Sequence, residues 1–193
     1  CLYFAGMGWF DAVAHGLSAV ATAGSSTKNQ SIAFYNSPLI EAVLILFMIL
    51  SALPMTFFVM LMQNKFRHSI RTVQVVAFLK TLFWIVVGLA LWMRVFGVKN
   101  DIFSCLRYAA FNVVSVVTTT GLSSDDFLSW GSFSVAAFAV MAFIGGCSGS
   151  TTGSIKIFRW QVIWAFLKHS MALAVAPKRV MPYKIKNFIL SER

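Results

Sequence analysis

Val117-Thr118-Thr119-Thr120-Gly121 and Val20-Ala21-Thr22-Ala23-Gly24 are the two stretches that decide how this chain is organised. Sliding the sequence on itself by 97 residues sets Gly24 on Gly121. The same shift pairs Ala12 with Ala109, His15 with Asn112, Ser18 with Ser115, Val20 with Val117, Thr22 with Thr119 and Ser26 with Ser123. Self-similarity at a fixed period signals repeated copies of one supersecondary unit. Each tract is small and threonine-bearing and ends in glycine, which reaches backbone torsions that side chains forbid. Such a tract is expected to run extended with its carbonyls turned inward, as oxygen rings do when they replace the hydration shell of a monovalent cation.

Composition sets the surroundings. Of 193 residues, 59% are hydrophobic and 11% charged, with a mean hydropathy of +0.78. A soluble fold of this size would be left with large exposed apolar patches, whereas lipid accepts them. Nineteen phenylalanines read as lipid-facing filler. The net charge of +10 comes from sixteen Lys/Arg against six Asp/Glu, but the bases concentrate at Lys65 to Arg71 and from Lys156 to Arg193, beside or beyond apolar runs. That placement marks cytoplasmic flanks of membrane helices and argues against a nucleic-acid partner. Cys1, Cys105 and Cys147 share no disulfide or metal spacing. With no initiator Met, the chain reads as part of something longer.

A bilayer needs about 20 residues of helix to cross. Residues 39–62 and 73–96 read as spans. Residues 133–167 read as a broken span, because Gly145-Gly146-Cys147-Ser148-Gly149-Ser150-Thr151-Thr152-Gly153-Ser154 splits them into halves too short to cross alone. Residues 9–20 and 103–117 are helical in pattern, too short to span, and run straight into the Thr/Gly tracts at 20–24 and 117–121. They read as re-entrant half-helices, tolerated at membrane depth only where buried in protein or lining a wet cavity. Their C-termini, the negative ends of the helix dipoles, favour a cation at the tracts.

The expected fold class is therefore an all-α polytopic membrane protein with repeated span, half-helix, tract, span units. Residues 1–62 form a first unit without its leading span, 63–72 a cytoplasmic connector, 73–167 a complete unit, and 168–193 a basic cytoplasmic tail. The half-helices then enter from the outer face and return to it.

Plainer readings exist for each feature. A single Thr/Gly tract could be a loop capping a short helix, and Gly149 with Gly153 could be a small-residue surface for close helix packing. His15, His68 and His169 lie far apart and read as structural or solvated. Lys156 and Arg159 could face a cytoplasmic vestibule or snorkel to headgroups.

The Thr-Thr-Thr-Gly-Leu tract at 118–122 and the run Phe143-Ile144-Gly145-Gly146-Cys147-Ser148-Gly149-Ser150-Thr151-Thr152-Gly153-Ser154-Ile155-Lys156-Ile157-Phe158-Arg159-Trp160 resemble the Trk/Ktr/HKT superfamily of potassium transporters, in particular its TrkH branch. The resemblance implies four pore units around one path, of which this chain carries the second and third. It places Gly24 and Gly121 on the key filter glycines, with Ala21, Thr22, Ala23, Thr118, Thr119 and Thr120 beside them, holding K+ at their carbonyls. It makes Gly145 to Ser154 an intramembrane gate loop beneath the filter. It implies transport of K+ with no bound cofactor and no enzymatic activity. It also implies a multi-pass location in the bacterial inner membrane, among lipid and the remaining pore units. The partners it implies are a second copy of the protein and a cytoplasmic nucleotide-binding regulatory subunit. Two departures stand out: Ala23-Gly24-Ser25 where the family often has Gly-Gly-Phe, and Ser154 where a second glycine is frequent. A non-conducting structural fragment or helix-packing module that keeps the fold is the alternative.

Overall fold

The computed structural model describes residues 1–63, 73–99, 101–175, 183–185 and 188–190. Lys65, Arg67, His68 and Arg71 of the expected connector, and most of the basic tail beyond 175, lie outside the described residues.

Helix α1 covers Trp9–Ala21, α2 Pro38–Ser51, α3 Met55–Met62, α4 Val73–Val95, α5 Ile102–Val117, α6 Ser132–Met141 and α7 Ile157–Val175. Short 3-10 turns at Ser31–Tyr35 and Phe127–Trp130 link the tracts to the helices that follow. The fold is all-α but for a two-stranded antiparallel ribbon near the C-terminal end, Tyr183–Ile185 against Phe188–Leu190. Among the described residues, Gln74–Val95 is the helix long and apolar enough to cross a bilayer by itself.

The stretch expected as one span over 39–62 is instead bent by 93° between α2 and α3. Pro54 explains the break: it lacks an amide proton, and its ring excludes the carbonyl four residues back from a helical ladder. Pro38 suits the first position of α2 because the amide it lacks would have no helical partner there. Helix α7 runs to Val175, past the expected end of the broken span at 167.

Helix α4 packs along α5, α5 against α2, and α2 against α1. The seams are filled by fully buried Phe78 and Met93 on α4, Phe111, Val113 and Val117 on α5, and Leu44 and Met48 on α2. Trp9, Leu17, Phe83, Trp84, Leu91 and Trp164 project outward, as side chains facing lipid do.

Among the described residues, one ion pair crosses the repeat. Glu41 of α2, only 1% exposed, accepts from Arg107 of α5 through both carboxylate oxygens, at 2.7 Å from Nε and 2.8 Å from Nη2. Nη2 also donates to Asn36 Oδ1 at 3.1 Å. Truncating one partner of a buried pair strands the other charge, at a cost of about 3–5 kcal/mol. Arg107→Ala is therefore expected to lower the thermal midpoint of the purified protein sharply. The double variant Arg107→Leu with Glu41→Leu should recover most of the loss, and an unchanged midpoint in Arg107→Ala would show that the pair does not join the units.

Candidate functional site

The C-termini of α1 and α5 end in the same way. Ala23 N donates to Ser18 O at 2.9 Å, and Thr120 N donates to Ser115 O at 2.8 Å, bonds that the 97-residue shift maps onto each other. Both close the helix with a left-handed residue one position earlier: Thr22 at φ 52° and Thr119 at φ 56°. Gly24 and Gly121 follow at φ 73° and 84°. The tracts are thus not uniformly extended, contrary to the expectation from composition. Each alternates a left-handed threonine with a left-handed glycine, which turns successive peptide groups. A β-branched residue in this region is a real outlier, and such strain is held where surrounding structure over-determines it.

The side chains opening each tract also correspond. His15 and Asn112 occupy equivalent places and tie the chain beyond each tract back to its half-helix. His15 Nδ1 donates to Asp11 O at 2.7 Å. Nε2 lies 2.9 Å from the Ser26 hydroxyl, a hydrogen bond that ties the chain beyond the tract to the half-helix. Asn112 Nδ2 donates to Tyr108 O at 2.9 Å and to Ser124 Oγ at 3.3 Å. His15 is a structural residue here. Outside it, Asp11 accepts from Thr27 Oγ1 at 2.6 Å and from Tyr35 OH at 2.7 Å. Burial, then the bond to the Asp11 carboxylate, push the Tyr35 phenol up to about 12.

The tracts meet at their glycines. A Cβ built on Gly24 would run into the Thr120 carbonyl oxygen and lie 3.4 Å from Gly121 Cα. One built on Gly121 would lie 3.8 Å from Gly24 Cα. Thr118 and Thr120 are buried, their hydroxyls 2.8 Å apart, while Ala21, Ala23 and Gly121 are exposed. The tracts that end the two helices thereby come into contact, with the Thr120 carbonyl group against Gly24, and the negative ends of helix dipoles favour a cation.

Residues 145–154 form a compact loop whose neck is closed by a short parallel bridge between Ile144 and Ile155, with Gly145 N donating to Ile155 O at 2.9 Å. Its seat is the break between α2 and α3. Cys147 N donates to Ala52 O at 3.0 Å, Met55 N donates to Gly149 O at 3.0 Å, and Thr151 Oγ1 donates to Ser51 O at 3.2 Å. The bend frees backbone groups that the loop then satisfies, as irregular backbone away from water requires. From the other side, Gln74 Oε1 accepts from Ser148 N at 3.0 Å.

The loop reaches both tracts through the two left-handed threonines. The one proton of Thr22 Oγ1 is shared between Ala21 O at 2.7 Å and Thr151 O at 3.2 Å, and Gly153 N donates to Thr119 Oγ1 at 2.7 Å. Thr151 Oγ1 also approaches Val20 O, at 3.4 Å. Every residue expected in the tracts and the loop is thus gathered into one assembly. The sequence-based expectation does not include Pro54 with Ser51 and Ala52, although a proline inside an apolar run is a recognisable signal for the bend. Cys147 is fully buried, packed into the seat instead of facing open space.

The family model for TrkH, described as a cation transport protein, matches residues 3–193. The Trk system potassium uptake protein TrkI of Halomonas elongata is 35% identical over 191 residues, which is 98% of this chain and 38% of that protein. The Trk system potassium uptake protein TrkH of Escherichia coli K12 is 32% identical over 195 residues, 100% of this chain and 40% of that protein. The crystal structure of the potassium transporter TrkH from Vibrio parahaemolyticus superposes with a TM-score of 0.92 at 26% identity, covering 97% of this chain and 41% of that one. The chain therefore spans about two fifths of the length of the relatives it matches. With a family model running from residue 3 to the last residue, and a fold shared across nearly the whole chain, this protein belongs to the TrkH family of cation transport proteins.

Proposed function

We propose that this chain supplies two adjacent pore units of a potassium-uptake transporter of the bacterial inner membrane. The carbonyl groups of Ala21 to Gly24 and of Thr118 to Gly121 form two strands of a selectivity filter, and Gly145 to Ser154 is the gate beneath it. The relatives are potassium uptake proteins, which gives the ion; K+ is cargo, and no cofactor is needed. One observation carries the reading: two repeat-related tracts meet at Gly24 and Gly121, and a single loop is hydrogen-bonded to both. Two strands cannot encircle an ion, so the remaining strands come from the rest of the transporter. A second copy and a cytoplasmic nucleotide-binding regulatory subunit complete the assembly in this reading. Residues 63–72 and the tail face the cytoplasm, and the ion enters from the side of Asp125 and Asp126.

The test is potassium-limited growth of a bacterial strain without other potassium uptake systems, carrying the complete transporter. The parent sequence should restore growth. Replacing Thr118-Thr119-Thr120-Gly121 by four alanines should abolish rescue while the protein still reaches the membrane. Full rescue by the alanine variant would overturn the filter assignment.

A further inference from the structure

Lys156 stands just beyond the loop, and its side chain is directed at the loop itself. It turns back. The ammonium lies 3.4 Å from the Ser150 carbonyl oxygen, 3.4 Å from Ser150 Oγ, 2.9 Å from Thr152 Oγ1, and in direct contact with the Thr152 carbonyl oxygen. Among the described residues no carboxylate lies within ion-pair distance of it. The positive charge is met by neutral oxygens alone.

The hydroxyl protons can be assigned. Ser150 Oγ donates its one proton to Cys147 O at 2.7 Å. The 2.8 Å bond between Ser150 Oγ and Thr152 Oγ1 must then use the threonine proton. Thr152 Oγ1 also accepts from Gly146 N at 3.1 Å. Each hydroxyl has therefore spent its proton elsewhere and presents lone pairs to the ammonium. Two carbonyl and two hydroxyl oxygens converging on a positive charge are the donor set of a monovalent-cation site, and an ammonium group is close to a potassium ion in size and charge. The site also sits against the filter. Thr151, between its two residues, bonds to Thr22 and approaches Val20 O, and Gly153, next to Thr152, bonds to Thr119.

We propose that Ser150 and Thr152 form a cation site within the loop, that Lys156 fills it as a tethered ammonium and so latches the loop closed, and that a monovalent cation leaving the filter competes for the same oxygens. The proposal rests on reading the loop as the gate. Two cations cannot share four oxygens, so an arriving ion displaces the lysine. The loop then loses the clamp between its C-terminal stem and its tip.

Cys147 supplies the readout. Its side chain is fully buried, and its amide and carbonyl are held by Ala52 and Ser150, so its thiol reacts with a small water-borne reagent only when the loop leaves its seat. The complete transporter is reconstituted in lipid vesicles with exposed Cys1 changed to serine, and labelling at Cys147 is followed by peptide mass. Losing charge-assisted bonds should raise the labelling rate of Lys156→Met about tenfold or more over the parent. Ser150→Ala, altered from the acceptor side, should move the rate the same way. Exchanging choline for potassium at constant ionic strength should speed labelling in the parent and leave Lys156→Met unaffected. Unchanged labelling in both variants, or a parent insensitive to potassium, would overturn the proposal. Faster labelling with unchanged rubidium flux would uphold the latch and overturn the gate reading instead.

Discussion

Replacing Gly24 by serine is expected to abolish discrimination between potassium and sodium in the complete transporter while leaving membrane insertion intact. Two separate costs meet at this position. At φ 73° any side chain pays the left-handed penalty, about 1–2 kcal/mol. The new Cβ would also meet the Thr120 carbonyl group, with its oxygen in collision and its carbon at 3.3 Å. A flexible side chain could swing aside, but a carbonyl between two capped helix ends cannot move without moving its strand. The atom that must shift is one of the oxygens proposed to hold the ion. Gly121→Ser pays the torsional penalty at φ 84° but meets Gly24 Cα only at 3.8 Å, an ordinary contact. The expected order is therefore Gly24→Ser more damaging than Gly121→Ser, although the Thr-rich tract around Gly121 looks the more filter-like of the two. Rubidium uptake in the presence of rising sodium measures this. Loss of at least tenfold in discrimination is expected for Gly24→Ser, since each 1.4 kcal/mol of distortion is a factor of ten. Equal effects at the two glycines would show that the collision with Thr120 is relieved elsewhere.

The repeat was legible because equivalent residues do equivalent work. Ser18 and Ser115 lend their carbonyls to the same cap, His15 and Asn112 make the same tie with different chemistry, and Gly24 and Gly121 share a torsion that few other residues accept. The left-handed threonines were not legible. Threonine disfavours that conformation, so composition pointed to an extended tract, and only the loop bonded to Thr22 and Thr119 accounts for holding them there. The bend at Pro54 was hidden by hydropathy, which is continuous from Leu39 to Met62 and records nothing of the backbone ladder. The loop itself stood out by its glycines and hydroxyls, but not its seat, because the seat is made of main-chain groups at Ser51, Ala52 and Met55 whose availability depends on that bend. Lys156 could not be placed at all from sequence, since four rotatable bonds let an ammonium reach water, headgroup or loop from the same backbone position.

Threonines 22 and 119 give the second large effect. Valine matches threonine in shape and is equally β-branched, so Thr22→Val with Thr119→Val keeps the torsional strain and removes only the hydroxyls. The Thr119 change leaves Gly153 N–H without its 2.7 Å acceptor, and the Thr22 change removes a hydroxyl shared between Ala21 O at 2.7 Å and Thr151 O at 3.2 Å. The Gly153 bond contributes about 1 kcal/mol net to the proposed closed loop and the shared Thr22 hydroxyl less, so the double variant should favour the open arrangement roughly fivefold or more. Rubidium flux through the complete transporter should rise accordingly, with sodium discrimination retained because the carbonyls and glycines are untouched. The single change at Thr119 should contribute more than that at Thr22, its bond being the shorter. Serine at either position keeps the hydroxyl and should restore the parent flux. Deleting Ser148 to Thr152 removes the proposed obstruction itself and sets the ceiling for the effect. If deletion raises flux and the double valine variant does not, the loop is a gate held by its seat at the α2–α3 bend alone. If neither raises flux, the loop does not close the path, and its bonds to both tracts serve only to brace two strained threonines from below.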